Sequence, residues 1–576
     1  MRPTEAGRSV VVRRDAGSSP VDVTPEGFNV RTKVHEYAGG SYCVHDQTVF
    51  FANFVDQRLY RQDAGAEPQA ITPDTGGRHR YADGRALAGG SLVVCVRERH
   101  EGRRATEIVN ELVVLAADGA SEARTIAGGR DSTPFRDRRP TDVALRGSAG
   151  PPRHAVGRMR GLGRGSRFRR VVVGNADDRG WPRRVDLSTG VEPDGELHFV
   201  SDRTGWWNLY RARAGDIEPL YSADAEFGWP LWQLGASSYA FLANGRIACI
   251  YGRDGAQHVA LLDPGSGELL DLDLPHTAIG WPALSADGSH VTFIGGAPSI
   301  PNQVVSLDSS SRAVDVLRES RAIDFDPGHI SVPRPIEFPT EGGLTAHALF
   351  YPPTSPAFTG PPDELPPLVV ATHGGPTGES PAVFDLRKQY FTSRGFAVVD
   401  VNYGGSTGHG RAYRRRLNGQ WGIVDTADCI NAAKHLASGG PVDGSRMAVR
   451  GGSAGGYTAL CALTFHEVFR AGPACSGSPT SRRSRGLPYA YLLFEGEQHG
   501  FRRGENILRS HEAELSFFAQ IFGIRLGIRS KPSRSTTSPE TGDGEPANRL
   551  PAPKRGRDLS ANPILFPVRE GSVAGG

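Results

Sequence analysis

The sequence lacks the features that mark secreted, membrane-spanning and zinc-binding proteins. Its six cysteines are scattered and form no C-x-x-C pair, which argues against a zinc site or a disulfide framework and favours a reducing compartment. The first residues contain no apolar signal core, and no apolar run reaches the roughly 18 residues of a membrane span. The net charge is only +3 over 576 residues, so no overall field attracts nucleic acid or lipid. We therefore expect a cytoplasmic protein with no cofactor, metal, nucleic-acid partner or membrane partner; the oligomeric state stays open.

Residues 1–329 consist of short strands separated by turns. A unit of turn, strand, turn and strand spans residues 192–210, a similar unit spans 284–307, and a looser copy spans 242–262. Repeats of short strands at roughly 40–50 residues are typical of propeller blades. A β-sandwich is the alternative, but it fits the periodic Asp-Gly turns less well. We predict a β-propeller, with Trp206 and Trp207 packed inside a blade.

Two segments depart from globular patterning. Residues 136–184 hold fourteen arginines and no glutamate, and the stretch GRMRGLGRGSRFRR could be a nucleic-acid-binding tail. A single basic tract is weak support for that, so we favour a poorly specified insert. Residues 523–576 are rich in Pro, Ser, Gly and Arg, and we predict a disordered tail there.

Residues 330–522 alternate between strand and helix. A continuous apolar strand at 368–372 and another at 397–401 suit a mostly parallel sheet that is buried on both faces. The segment 422–436 predicts an amphipathic helix with Ile423, Ile430, Ala433 and Leu436 on one face. Such doubly wound sheets carry their chemistry at the carboxyl ends of the strands.

A strand at 447–449 runs into GGSAGG at residues 451–456, and a helix follows. A G-x-S-x-G sequence between strand and helix is the nucleophile elbow of α/β-hydrolases, so Ser453 is the candidate nucleophile. The helix start presents Ala454 N–H to a developing oxyanion, and HGGP at residues 373–376 places Gly375 N–H as the second donor.

His499 is the candidate base, because it follows the predicted strand 490–494 and precedes the predicted helix 507–522. Asn402 and Tyr403 come directly after a strand. They are candidates for lining the substrate pocket, with a structural role as the alternative.

These motifs resemble the prolyl oligopeptidase family of serine peptidases, in its acylaminoacyl-peptidase/dipeptidyl-peptidase-like branch. The resemblance rests on six stretches: HEYAGG (35–40), DGELHFVSDRTGWWNLY (194–210), HGGPTG (373–378), NYGGSTGHG (402–410), GGSAGGYTAL (451–460) and FEGEQHGF (494–501). It implies an N-terminal β-propeller and a C-terminal α/β-hydrolase domain, with Ser453 as nucleophile, His499 as general base, and Gly375 with Ala454 as oxyanion donors. It also implies hydrolysis of short peptides near their N-terminus, with the propeller restricting access by size.

The sequence departs from the family pattern where the triad aspartate is expected. No Asp lies between Ser453 and His499; the only acids there are Glu467, Glu495 and Glu497. The interval is also short, so we expect an internal deletion that removes the acid and at least one sheet strand, and we expect an incomplete first blade. The expected function is a serine peptidase impaired by the missing acid. A non-catalytic binding module and an esterase are the alternatives.

Overall fold

The computed structural model describes residues 5, 7–15, 18–37, 39–87, 89–102, 107–129, 173–176, 182–191, 196–213, 216–230, 232, 234–280, 284–472, 474–475, 492, 494, 497 and 499–525. Most of the Arg-rich segment and most of the predicted tail lie outside these residues. The predicted strand at 490–494 is also largely outside them. For β11 and β12 below, only the backbone is described.

The N-terminal part folds into a two-stranded hairpin and five antiparallel sheets of four or five strands. Four of these sheets follow the chain order, and in the last one the first two strands both pair with the third. The hairpin comprises β1 (Val12–Arg13) and β2 (Val21–Asp22). The first sheet comprises β3 (Tyr42–His45), β4 (Thr48–Ala52), β5 (Leu59–Gln62) and β6 (Gln69–Ala70), and the second comprises β7 (His79–Leu87), β8 (Leu92–His100), β9 (Ile108–Ala116) and β10 (Arg124–Gly129). The third sheet comprises β11 (Val173–Ala176), β12 (Pro182–Val191), β13 (Leu197–Ser201), β14 (Asn208–Arg213) and β15 (Asp216–Pro219). The fourth comprises β16 (Tyr239–Phe241), β17 (Ile247–Arg253), β18 (Ala256–Leu262) and β19 (Leu269–Asp271), and the fifth comprises β20 (Ala278–Ile279), β21 (Ser285–Asp287), β22 (His290–Ala297), β23 (Ile300–Asp308) and β24 (Val314–Glu319). These five blades confirm the predicted β-propeller. The sheet β3–β6 has four strands, so the expected truncation of the first blade is not observed.

Burial alternates along the second half of β9, as expected for a blade strand. In β9, Val113 and Leu115 are buried, whereas Val114 and Ala116 are partly exposed. Side chains on a strand point to opposite faces in turn, so this period of two directs one face of the sheet into the core between blades.

The C-terminal part is a six-stranded mixed sheet with helices on both faces. Its elements are β25 (Arg334–Pro339), β26 (Thr345–Tyr351), β27 (Leu368–Thr372), α1 (Leu386–Thr392), β28 (Ala397–Asn402), α2 (Gly410–Arg415), α3 (Val424–Ser438), β29 (Met447–Gly452), α4 (Ala454–Phe465), β30 (Ala474–Cys475) and α5 (Gly504–Phe522). The strand order is β25-β26-β28-β27-β29-β30, and the pairs from β28 to β30 are parallel. The predicted α/β-hydrolase architecture is confirmed.

Neighbouring residues of the central strand β27 face different helix layers. Val370 packs in the cluster that contains α3 and α4 residues, while Val369 packs in the cluster that contains α1 and α5 residues. Both side chains are fully buried, which explains why this strand is continuously apolar.

Two details of this domain differ from the sequence expectations. Ile423 precedes α3 and is 61% exposed, so it was wrongly placed on the apolar face with Ile430, Ala433 and Leu436, which are buried. The stretch after the elbow helix, expected to carry no core pattern, contributes the short strand β30, which pairs with Gly451 and Gly452 of β29. The described part of the sheet ends at β30, and the deletion of a strand stays a prediction.

A buried arginine joins the two domains. Arg414 of α2 donates to Glu226 and, at 3.0 Å, to Asp202, and both acids belong to the propeller. Its guanidinium lies 3.6 Å from the ring centre of Trp207. Trp207 is buried in the propeller, as predicted. It also contacts the hydrolase domain, which was not predicted. The neighbouring Trp206 lines an open groove of about 460 Å³ along the same boundary.

Candidate active site

Ser453 lies at the turn between β29 and α4, in a backbone conformation that residues other than glycine rarely adopt. Its φ is 55° and its ψ is −124°. Strain of this kind persists only where the surrounding structure enforces it, and it concentrates at functional sites. The geometry is that of a nucleophile elbow, which turns the serine side chain out of the sheet.

The glycines around Ser453 allow this turn to close. A Cβ added to Gly451 would lie 2.2 Å from the carbonyl oxygen of Gly455, and one added to Gly455 would lie 2.3 Å from that of Thr372. Both obstacles are backbone atoms that cannot move aside. Glycine is therefore required here by the close approach of α4 to the ends of β29 and β27.

The loop after β27 passes beside the serine at Gly374, one residue before the predicted oxyanion donor Gly375. A Cβ added to Gly374 would lie 3.3 Å from Ser453 Cβ and 3.9 Å from its Oγ. Within the described residues, neither Gly375 N–H nor Ala454 N–H has a hydrogen-bond acceptor. Ala454 begins α4, so its N–H is one of the free donors of a helix start. Among the described residues both N–H groups are thus without an acceptor, with Ala454 directly after Ser453 in the chain and Gly375 directly after the residue that approaches the serine side chain.

His373 anchors the start of this loop. It is partly buried, and this burial lowers the pKa of its imidazole, so the ring is neutral. Since a carbonyl can only accept, Nδ1 carries the proton and donates to Gly374 O at 2.9 Å, while Nε2 accepts from Ser406 Oγ at 2.7 Å. The ring also stacks on Tyr403 with centroids 4.4 Å apart.

The two predicted pocket residues hold the same loop. Tyr403 is fully buried, and its hydroxyl donates to Pro376 O at 2.8 Å. The Asn402 side chain accepts from Ser380 N at 2.7 Å and donates to Ser380 O at 3.3 Å. Both side chains thus have structural partners in this loop, and their role as substrate contacts stays a prediction.

His499 is exposed and meets the propeller. Its ring lies perpendicular to Tyr37, with centroids 5.5 Å apart and planes at 89°. Among the described residues, no hydrogen bond joins His499 to Ser453. The motif HEYAGG carried part of the family resemblance, but no role had been predicted for Tyr37. The motif was the only signal in the sequence that could have singled it out.

Glu497, two residues before His499, is hydrogen-bonded to the residues at the start of α5. Glu497 accepts from Asn506 Nδ2 at 2.8 Å and from the N–H groups of Arg502 and Arg503 at 2.9 and 3.1 Å. Burial raises its pKa, but these hydrogen bonds outweigh the burial and lower it. Glu497 therefore serves the start of α5. Glu467 is exposed beyond the end of α4, and Glu495 lies outside the described residues.

A partly buried carboxyl group lies near the domain boundary, just after the HGGPTG loop. Glu379 accepts from two propeller side chains, Gln257 Nε2 at 2.8 Å and Trp229 Nε1 at 3.4 Å. Burial, with a smaller contribution from Glu226, raises its pKa to about 7. In the part of the chain that the structure describes, no three potential ligands converge as a metal site would require, and no helix is long and apolar enough to cross a membrane.

Comparison with known proteins decides the family. A family profile described as "Prolyl oligopeptidase family" matches residues 382–483. The solved structure of a puromycin-hydrolysing peptidase from Mycobacterium tuberculosis is 33% identical, with a TM-score of 0.79, and the alignment covers 91% of this chain and 92% of that one. The chain belongs to the prolyl oligopeptidase family. A puromycin hydrolase structure agrees at 34% identity and a TM-score of 0.76, covering 91% of this chain and 93% of the other.

Curated relatives in this family match over a shorter stretch. Dipeptidyl peptidase family member 6 of Caenorhabditis elegans is 40% identical over 98 residues, which cover 17% of this chain and 13% of the relative. The acylamino-acid-releasing enzyme of Arabidopsis thaliana is 38% identical over 105 residues, which cover 18% of this chain and 13% of the relative. The matched part thus spans 13% of the length of these relatives.

Proposed function

We propose that this protein is a serine peptidase that hydrolyses short peptides near their N-terminus through an acyl-enzyme on Ser453. The observation that carries the proposal is the strained elbow at Ser453, which Gly374 approaches closely. Among the described residues, the N–H groups of Ala454 and Gly375 have no acceptor. Family membership supports the same reaction class. The propeller supports a size limit on substrates, because its blades contact the hydrolase domain around this site.

The proposed reaction has two steps. Ser453 Oγ attacks the carbonyl carbon of the scissile peptide bond while His499 takes the hydroxyl proton. The N–H groups of Gly375 and Ala454 stabilise the oxyanion. The carbon–nitrogen bond breaks, His499 returns the proton to the leaving amine, and water then hydrolyses the ester by the same sequence.

The lack of a carboxylate on His499 within the described residues supports an impaired reaction. Without an acid, the imidazolium that forms during attack has no ionic partner and the ring tautomer is not fixed. In triads, replacing the acid lowers kcat by about 10⁴-fold. The same observation favours the second candidate function, a non-catalytic binding module built on a peptidase fold.

Labelling with a fluorophosphonate probe tests the proposal. We expect a covalent adduct on Ser453 that forms slowly and is absent from Ser453→Ala, with Ser438→Ala, at the exposed end of α3, as a control that keeps the nucleophile. No adduct in folded protein after prolonged incubation would contradict the peptidase proposal and favour the binding module. Comparing aminoacyl nitroanilides with p-nitrophenyl esters separates a peptidase from an esterase.

A further inference from the structure

The nucleophile and the base of the proposed site are held in different ways. Ser453 and both oxyanion donors belong to loops at the ends of buried strands of the hydrolase sheet. His499 belongs to an exposed loop that packs on the propeller. A Cβ added to Gly7 would lie 2.7 Å from Arg502 Cβ, so the N-terminal segment also touches this loop. The orientation of the base therefore depends on the propeller.

Tyr37 is itself firmly placed by its surroundings. Its ring packs at 66° on Trp232 with centroids 5.0 Å apart. Two residues before it, His35 donates its backbone N–H to Glu98 Oε2 at 2.9 Å, and its ring nitrogen Nδ1 lies 3.4 Å from Trp232 O. His35 and Glu36 both have positive φ, at 54° and 61°, so the segment is held in a strained turn rather than relaxed.

Trp232 connects Tyr37 to the loop after β27, which carries the proposed oxyanion donor Gly375. The ring of Trp232 lies so close to Gly375 that an added Cβ there would be 2.9 Å from Trp232 Cζ2. A parallel bridge between Gly39 and Leu234 fixes the backbones of the two propeller segments relative to each other. Contacts therefore run from His499 through Tyr37 and Trp232 to the loop that carries an oxyanion donor.

We propose that Tyr37 is a positioning residue that fixes the orientation of the His499 ring from across the domain interface. A perpendicular arrangement is the one that two aromatic rings prefer, because the positive edge of one faces the negative face of the other. Burial, with a smaller effect of Glu36, raises the pKa of Tyr37 to about 12, so the phenol is neutral and supplies orientation without charge. The role in catalysis rests on the proposed function; the contact itself does not.

Two measurements on the full chain test this inference. The first is the NMR spectrum of protein labelled with ¹³C at histidine Cε1, with the His499 signal assigned by its loss in His499→Gln. We expect Tyr37→Ala to shift that signal through loss of the ring current, and Tyr37→Phe to keep it close to wild type. Tyr42→Ala is the control, since Tyr42 is an exposed propeller aromatic. An unchanged His499 signal in Tyr37→Ala would overturn the proposal.

The second measurement is kinetic. Tyr37→Ala should lower kcat and the rate of probe labelling by about 2- to 10-fold, the range that corresponds to an edge-to-face pair. KM should stay within about twofold, and Tyr37→Phe should behave as wild type. A loss confined to KM, or equal losses in Tyr37→Ala and Tyr37→Phe, would contradict ring positioning. Tyr37→Leu replaces Tyr37→Ala in both measurements if the smaller side chain prevents folding.

The two proposals fail in different ways. If wild-type protein forms no adduct on Ser453, the proposed function falls, and the NMR comparison still decides whether Tyr37 orients His499. If the adduct forms at the same rate in wild type and in Tyr37→Ala, the function stands and the positioning role is refuted.

Discussion

Replacing Ser453 by glycine should make the protein more stable than replacing it by alanine. Both variants remove the hydroxyl, so the comparison isolates the backbone. At φ 55° and ψ −124°, Ser453 adopts the mirror image of an ordinary extended conformation, in which a Cβ is crowded by neighbouring backbone atoms. Alanine keeps this Cβ, whereas glycine has none and accepts both mirror forms.

The expected difference follows from two opposing contributions. A residue held in such a conformation costs about 1–3 kcal/mol. Glycine loses more freedom on folding than alanine, which costs about 0.5–1 kcal/mol. We therefore expect the free energy of unfolding of Ser453→Gly to exceed that of Ser453→Ala by roughly 0.5–2 kcal/mol.

Urea unfolding followed by tryptophan fluorescence measures the difference, with equal slopes required of the two variants. Ser393 supplies the matched control, because its φ of −68° lies in the ordinary helical region, and there alanine should be more stable than glycine. Equal or lower stability of Ser453→Gly relative to Ser453→Ala would refute the idea that strain is stored at the nucleophile.

Three further predictions concern the surroundings of the site. Gly455→Ala should lower stability and abolish probe labelling, because the added Cβ would meet the carbonyl oxygen of Thr372; thermal unfolding and labelling measure this. Arg414→Met should lower the free energy of unfolding by about 3–5 kcal/mol, since it leaves the buried Glu226 carboxylate without its cation, and urea unfolding of the full chain would show it. Glu379 has a folded pKa of about 7 against 4.5 in the unfolded chain, so its contribution to stability is complete below pH 4.5 and is lost as pH rises through 7. Glu379→Gln should remove this dependence, and a wild-type-like pH profile for the variant would contradict the assignment.

The sequence was sufficient to predict the elements whose signals are local. The period of two in the blades and the run of small residues around Ser453 each follow from the chemistry of a short segment. The buried strand β27 was found for the same reason, since a sheet covered on both faces leaves no polar position. Ile423 shows the limit of such periodicity, because α3 begins at Val424, two residues later than predicted, and Ile423 before it is exposed.

Contacts between distant segments could not be predicted. Asn402 and Tyr403 follow a strand at the catalytic edge, where pocket residues are expected, but only the folded loop shows their hydrogen bonds to Ser380 and Pro376. Trp207 was correctly expected to be buried, yet its contact with Arg414 joins residues 207 positions apart in the chain. The position of Tyr37 against His499 likewise depends on how two domains dock, and no local pattern encodes docking.

The arrangement of the site bears on how much activity this chain can have. An acid in a triad contributes about 10⁴-fold, whereas the oxyanion donors and substrate binding alone leave about 10³- to 10⁴-fold over the reaction in water. The strained Ser453 and the proposed donors Gly375 and Ala454 are present, and the described residues offer His499 an aromatic contact in place of a carboxylate. An orienting ring recovers only a small part of the loss, since an edge-to-face pair is worth about 0.5–1.5 kcal/mol. The rate of labelling is therefore more informative than the mere formation of an adduct. A rate near that of ordinary serine peptidases would require a carboxylate from outside the described residues. A slow rate that depends on Tyr37 would mean that the propeller orients the base.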